Sequence, residues 1–298
     1  MSDHLKAVLL VVLSGLVWSF GPLVVKNMID PHVYQLPYLV IRGLTVAVII
    51  GAYLIFHEGY DFFKNILKID RITIIGGLCL TTAFLGFIYS ISYTTAAVTL
   101  FMLALMPFLA SLIAYIFLKE KISRQNFVSM LIAFGGTMVM IYASAFSGSI
   151  YGLFMGFISS LGFAAFSVTL RSKNDIKKFY ILISGGIFCA LISLLLMILK
   201  GQDLYLPLRN IGLSITHGSL VATGLILFSI GSKQLLSGEL TMLSLLEVVG
   251  GIFWAWLPIL GINEVPNINT IVGGVIICGA ITMNAYRFDR KRLQNITR

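Results

Sequence analysis

Residues Leu85–Glu120 read LGFIYSISYTTAAVTLFMLALMPFLASLIAYIFLKE, two apolar runs of helical length around a brief polar turn. Moved forward by 141 positions, the stretch lies without a gap over Ile226–Ile259, a second helix–turn–helix. Phe87 falls on Phe228, Ala114 on Ala255 and Tyr115 on Trp256. Met106 falls on Glu247, a carboxylate in the middle of an apolar helix. A repeat carrying one misplaced charge is the main pointer to function.

The composition around this stretch settles the class. Of 298 residues, 58% are hydrophobic and 11% charged, against about 25% charged in a soluble domain. The mean hydropathy is +0.96. Apolar runs of about 20 residues without strict alternation read as membrane-spanning helices and not as barrel strands. The fold class is therefore an all-α integral membrane protein, with the lipid bilayer as its first partner. The net charge of +9 is read as basic loops at a membrane, not as a nucleic-acid surface. Cys79, Cys189 and Cys278 lie in apolar runs at unrelated spacings, which predicts packing residues and neither disulfides nor a metal site. The run that follows Lys6 has no A-x-A pattern behind it and reads as a retained first span.

Ten spans are expected, at about 5–26, 35–56, 72–91, 97–118, 125–143, 150–171, 179–199, 211–233, 240–260 and 268–287. With both termini placed in the cytoplasm, 17 of the 21 Lys and Arg residues fall in inner segments. Lys26, Lys200 and Arg209 fall outside, and Arg42 lies within a span. One missing span would invert every later loop, so the bias supports the count and a multi-pass protein of the cytoplasmic membrane.

The repeat recurs elsewhere. Ser14 and Phe20 fall on Ser160 and Phe166 at offset 146, and Glu120 and Gly135 fall on Glu264 and Gly279 at offset 144. Two units, 1–146 and 147–298, each with five helices, must insert with opposite topology because five is odd. Inverted repeats of this kind enclose substrate sites near the bilayer midplane.

The segments ALMPFLASLIAYIFLKEKIS (104–123) with glycines at 135–136, and LLEVVGGIFWAWLPILG (245–261) with NEVP (263–266) and glycines at 273–274, resemble the paired signatures of the drug/metabolite transporter superfamily. The match is to its ten-helix EamA-type permeases, and the opening SGLVWSFGPLVVK (14–26) resembles their first span. The resemblance implies a 5+5 inverted repeat, cytoplasmic termini, and export of amino acids or other small metabolites, some relatives importing instead. Val248 stands where many members carry proline.

Glu247 is the sharpest candidate for substrate or proton binding, because an acid at membrane depth faces a cavity or a partner. Gly250, Gly251, Trp254 and Pro258 share its helix face. Its structural alternative is a packing acid bonded to a hydroxyl or to Lys233. Arg42 is the other ionisable group in a span: it meets a substrate carboxylate, or it snorkels to the outer headgroups. By topology the two are not expected to pair. Trp18, Trp254 and Tyr89 are candidate walls for a solute, against packing or an interfacial belt. Pro107 and Pro258 are candidate gating bends. Tyr93 and Trp256 read as interfacial or packing, and Glu120 as a solvated ion pair between Lys119 and Lys121. His4, His32, His57 and His217 share no ligand spacing, and His217 reads as structural.

No phosphate-binding loop, G-x-S-x-G or H-E-x-x-H is present in the sequence, so neither an ATP-driven pump in one chain nor an ordinary hydrolase is expected, and no cofactor is called for. The leading expectation is a secondary transporter of a small organic metabolite, not an enzyme, working as a monomer or homodimer, with protons as a candidate coupling ion. The alternatives are a uniporter or exchanger of an anionic or nucleotide-linked solute, and a non-transporting scaffold.

Overall fold

A computed structural model of the chain describes residues 3–141, 149–173, 175–257 and 268–296. Among these residues the regular structure is entirely helical. In chain order the helices are α1 (Asp3–Trp18), α2 (Gly21–Lys26), α3 (Gln35–Glu58), α4 (Asp61–Asn65), α5 (Arg71–Tyr93), α6 (Ala96–Leu103) and α7 (Met106–Leu118). They continue as α8 (Arg124–Ile141), α9 (Ile150–Arg171), α10 (Phe179–Leu199), α11 (Leu208–Gly231), α12 (Ser237–Leu243), α13 (Leu246–Trp256) and α14 (Ile268–Ile296). Seven segments of the described chain are long and apolar enough to cross a bilayer: Asp3–Lys26, Gln35–Glu58, Arg71–Tyr93, Val98–Leu118, Ile150–Arg171, Phe179–Leu199 and Leu208–Gly231. The other three expected spans correspond to α8, to α12 with α13, and to the apolar stretch Ile271–Asn284 of α14.

Three expected spans are each two helices. The first breaks at Ser19–Phe20 and the fourth at Ala104–Leu105, just before Pro22 and Pro107, which occupy the first turns of α2 and α7. Proline lacks an amide hydrogen and fits the first turn of a helix better than its interior. Pro107 thus starts a helix and does not kink one. The break between α12 and α13, at Ser244–Leu245, needs no proline. Its backbone tightens to three-residue bonds, Glu247 N to Ser244 O (2.9 Å) and Val248 N to Leu245 O (2.9 Å), as the chain before α7 does at Leu105 N to Met102 O (3.1 Å). Pro258 and Glu264 lie outside the described residues.

The bundle is apolar outside, and its apolar core is studded with buried hydroxyls. Val48, Phe56, Phe117, Leu195 and Ile198 are exposed, whereas Ser14, Ser90, Thr99, Ser160, Ser193, Ser214 and Thr241 are buried. Buried hydroxyls return hydrogen bonds to their own helices, as Ser184 does to Tyr180 O (2.7 Å) and Ser214 to Asn210 O (2.8 Å). In a bilayer that is how polar side chains are satisfied without water. α5 packs on α9, α3 on α10, α8 on α14 and α1 on α11. The α3–α10 contact is backbone on backbone. A Cβ on Gly43 would lie 2.8 Å from Ala190 N and Gly186 O, and one on Gly186 would lie 2.8 Å from Ala47 N.

Alternate connections meet on the same face. On one face Glu58 accepts from Tyr180 (2.6 Å), Glu120 pairs with Arg171 (2.8 Å), and Asp70 pairs with Lys173. On the other, Ile29 and Asn210 exchange two hydrogen bonds of 2.9 Å, Gln202 donates to Val33 O (2.7 Å), and Ser149 N donates to Tyr93 O (3.4 Å). The first face carries the basic loops at Lys64–Arg71, Lys119–Arg124 and Arg171–Lys178.

Asp70 caps α5: its carboxylate accepts from the Thr73 amide (3.0 Å) and hydroxyl (2.6 Å) while pairing with Lys173. The bond from Lys173, then that from Thr73, hold the Asp70 carboxyl down at about 2. A carboxyl depressed on folding stabilises above its unfolded value and loses that stability as pH falls. Asp70→Ala is expected to cost about 1 kcal/mol near neutral pH, the worth of a cap. The difference from the parent should shrink between about pH 4 and about pH 2, read by unfolding in mixed micelles.

Candidate functional site

The three helix breaks border one cavity. Trp18 ends α1 at its break, Leu103 and Met106 flank the break between α6 and α7, and Glu247 follows the break between α12 and α13; all four line it. Arg42 of α3, Phe84 and Phe87 of α5, Ser159 and Phe163 of α9, and His217 of α11 complete the wall. The cavity is ≈ 60 Å³. That volume accommodates a few water molecules and not a metabolite, so a solute requires the helices to separate. Loop contacts tie the helices together at both faces of the bundle.

Arg42 is 2% exposed and its guanidinium lies 4.4 Å from the centre of the Phe84 ring. Its Nε and Nη1 have no hydrogen-bond partner. The ring compensates part of the cost of the buried cation, but the donors stay open toward the cavity. Arg42 does not snorkel to the outer headgroups. Among the described residues the Glu247 carboxylate likewise accepts no hydrogen bond, and no ion pair joins it to Arg42 within 4.0 Å. The expectation that the two do not pair agrees with this. Both residues line the same cavity. A buried cation and an anion on one cavity, neither with a hydrogen bond or an ion pair among the described residues, are suited to the two ends of one solute.

The remaining wall is aromatic and rigid. Trp18 donates from Nε1 to Val221 O (3.3 Å) and meets Phe163 edge-on at 5.4 Å and Phe228 at 5.3 Å. Gly224 makes room for the indole, because a Cβ there would collide with it. The Tyr38 hydroxyl and His217 Nδ1 share a hydrogen bond of 2.8 Å. The sequence reading took His217 as structural; the structure places it in the cavity wall, held by that bond.

Trp254 and Tyr89 are elsewhere. Trp254 donates to Ser19 Oγ (2.7 Å) and stacks on Phe20 at 4.3 Å, packing α13 onto the break in the first span. Tyr89 packs with Leu36, Val40 and Met197 and lies 6.3 Å from the Tyr151 ring. Pro107 is buried at the start of α7, next to the cavity residue Met106. Phe84, Phe87, Phe163 and Ser159 were not singled out from sequence. Glu120 is not solvated between its lysine neighbours: it pairs with Arg171 of α9, 51 positions away, with its side chain 13% exposed.

An apolar helical bundle around a small cavity lined by Arg42 and Glu247 is the architecture of a polytopic membrane protein. Residues 5–142 match the EamA-like transporter family. That match covers just under half of the chain and is consistent with the drug/metabolite transporter superfamily that its paired signatures resemble. The chain is 26% identical over 197 residues to the pseudopaline exporter CntI of Pseudomonas aeruginosa, in strains UCBPP-PA14 and PAO1. That match spans 64% of this chain and 66% of the exporter, just under two thirds of its length. A solved crystal structure superimposes with TM-score 0.72 over 96% of this chain and 98% of the other at 17% identity, a likeness of fold.

Gly224→Ala should destabilise the protein by roughly 1–3 kcal/mol, the usual cost of overpacking, because the new methyl meets the Trp18 indole. Gly212→Ala on the same helix meets nothing within 4 Å and should be neutral or stabilising. Denaturant titration in mixed micelles separates the two.

Proposed function

We propose that the chain is a secondary transporter of the cytoplasmic membrane that exports a small organic metabolite, amino-acid-like in carrying both charges, by alternating access. Its ten spans form two inverted five-helix halves, 1–146 and 147–298, with both termini cytoplasmic. The observation that carries the reading is the cavity lined by both Arg42 and Glu247, neither of which has a hydrogen bond or an ion pair within 4.0 Å among the described residues. Arg42 meets the solute carboxylate. Glu247 meets its ammonium group, or a proton when the solute has left. Trp18, Phe84 and Phe163 exclude lipid and confine the apolar part of the solute.

The helix pairing supports the two-fold relation between halves. Exchanging the halves turns the α5–α9 contact into α11–α1 and the α5–α10 contact into α11–α3, and all four are present. The reciprocal approach of Gly43 to Ala190 and of Gly186 to Ala47 is the kind of contact a two-fold axis produces. The name of the Pseudomonas relative supports export. Arg42 alone would suit an anionic or nucleotide-linked solute, but Glu247 in the same small cavity opposes one.

Purified protein in proteoliposomes should move labelled amino acids or related zwitterions. Glu247→Gln and Arg42→Gln should each lower transport efficiency roughly 10- to 100-fold, the worth of a lost charged hydrogen bond. Transport and pH response unchanged by Glu247→Gln would remove the carboxylate from the mechanism. A complete lack of flux across a broad solute panel would favour a scaffold.

A further inference from the structure

The helix α12 is built as a separable piece. All seven of its residues are buried. The chain turns at Ser232–Leu236 before it and breaks at Ser244–Leu245 after it. It packs on α7, α8, α9, α14 and α1, at the end of the bundle that carries the basic loops. Glu247 and the cavity lie just beyond its far end. Where α12 crosses α7, a Cβ on Gly238 would collide with Ser111 Oγ, and Ser111 itself is 6% exposed. Its near end is held by one ion pair. Arg171 donates from Nε to Glu120 Oε1 (2.8 Å) and from Nη1 to Ser232 O (2.9 Å) and Leu235 O. Glu120 Oε2 accepts the Ser237 amide (3.0 Å), and Lys178 bonds Ser229 O and Ser232 Oγ. The pair thus joins the ends of α7 and α9 to the turn that leads into α12.

One residue of α12 opposes this seat. Glu239 is 0% exposed and neither carboxylate oxygen has a hydrogen-bond partner. The Leu236 backbone N–H, one turn back, lies near the carboxyl without meeting hydrogen-bond geometry. A carboxylate so buried and so poorly supplied with donors carries much of its desolvation cost, whereas the neutral acid carries far less. The titratable groups on the elements and turns around α12 toward this end are Asp3, His4 and Lys6 on α1, Lys119, Glu120 and Lys121 beyond α7, Arg124 on α8, Arg171 on α9, Lys178 and Lys233 on the adjoining turns, and Arg287, Asp289, Arg290, Lys291 and Arg292 on α14. Arg171 favours the ionised acid, but its Nε and Nη1 are committed to Glu120 and to the two carbonyls.

We propose that Glu239 is a second proton-binding site, separate from Glu247, and that its protonation seats α12 as the inner gate of the transport path. This rests on the transport reading for its purpose. The seated helix holds one proton on Glu239; when that proton passes to the water of the basic face, α12 leaves α7 and the cavity opens to that side. The Arg171–Glu120 pair sets how firmly the gate closes.

The test uses the full-length protein with Cys79, Cys189 and Cys278 changed to Ala and the conservative reporter Ser111→Cys. Labelling by an impermeant thiol reagent from the basic face is measured at about pH 5.5 and about pH 8.5, each rate divided by that of the same thiol in SDS. The normalised rate should rise severalfold with pH. Glu239→Gln, which keeps the size of the side chain, should hold it low and flat. Glu239→Asp and Glu247→Gln should keep the rise, and Glu120→Gln should raise labelling at the acid end. A flat response in the Ser111→Cys protein, or a rise that survives Glu239→Gln, overturns the proposal. Labelling needs no substrate, so a failure of transport in proteoliposomes would be seen separately.

Discussion

A bilayer offers no hydrogen bonds. Every polar group of this chain within the lipid must therefore find a partner inside the protein or lie in a wet interior. The inversion of its surface follows from that: leucine, isoleucine and phenylalanine face outward while serine and threonine bond back to the turns beneath them. The same rule gives weight to the polar atoms left over. Arg42 has two donors unmet and Glu247 an unengaged carboxylate, and both face the one cavity that the breaks in the helices enclose.

The breaks and the cavity are one construction. An unbroken helix presents its side chains in a continuous spiral, and its backbone groups are all engaged along its own axis. A helix broken at mid-depth frees backbone groups and turns the residues beside the break toward a common space, which is tolerated where that space is buried or wet. Trp18, Leu103, Met106 and Glu247 each stand beside such a break. Proline enforces two of the three. The third holds with Val248 in place of proline, so the surrounding packing, and not the residue alone, fixes where the helix stops.

Much of this was legible in the sequence because it depends on length, hydropathy and charge. Seven of the expected span positions, the clustering of the basic loops, and the charges at Arg42 and Glu247 came from those signals. Which side of an apolar helix faces inward did not. A helix that is hydrophobic all round carries almost no periodic signal, so Trp254 and Tyr89 were chosen by residue type while Phe84, Phe87 and Phe163 were passed over. His217 was weighed alone, and its meaning comes from Tyr38, 179 positions away. Glu120 was read beside its lysine neighbours because Arg171 is distant in sequence. Glu239 sits at the start of a span, where an acid ordinarily meets water; only its complete burial sets it apart.

The repeat also explains why the site is not symmetric. Met106 and Glu247 occupy matching positions in the duplicated stretch and line the same cavity. Arg42, by the register that sets Gly43 against Gly186, matches Gly185. Each charge thus matches a neutral residue in the other half of the sequence. A strictly two-fold cavity would offer a solute the same group twice and could not tell its ends apart. A thioether opposite a carboxylate, and a glycine in place of a second arginine, leave one cation and one anion at fixed places. On the transport reading that asymmetry gives a zwitterion a single orientation, while the duplicated backbone keeps two nearly equivalent ways for the halves to open.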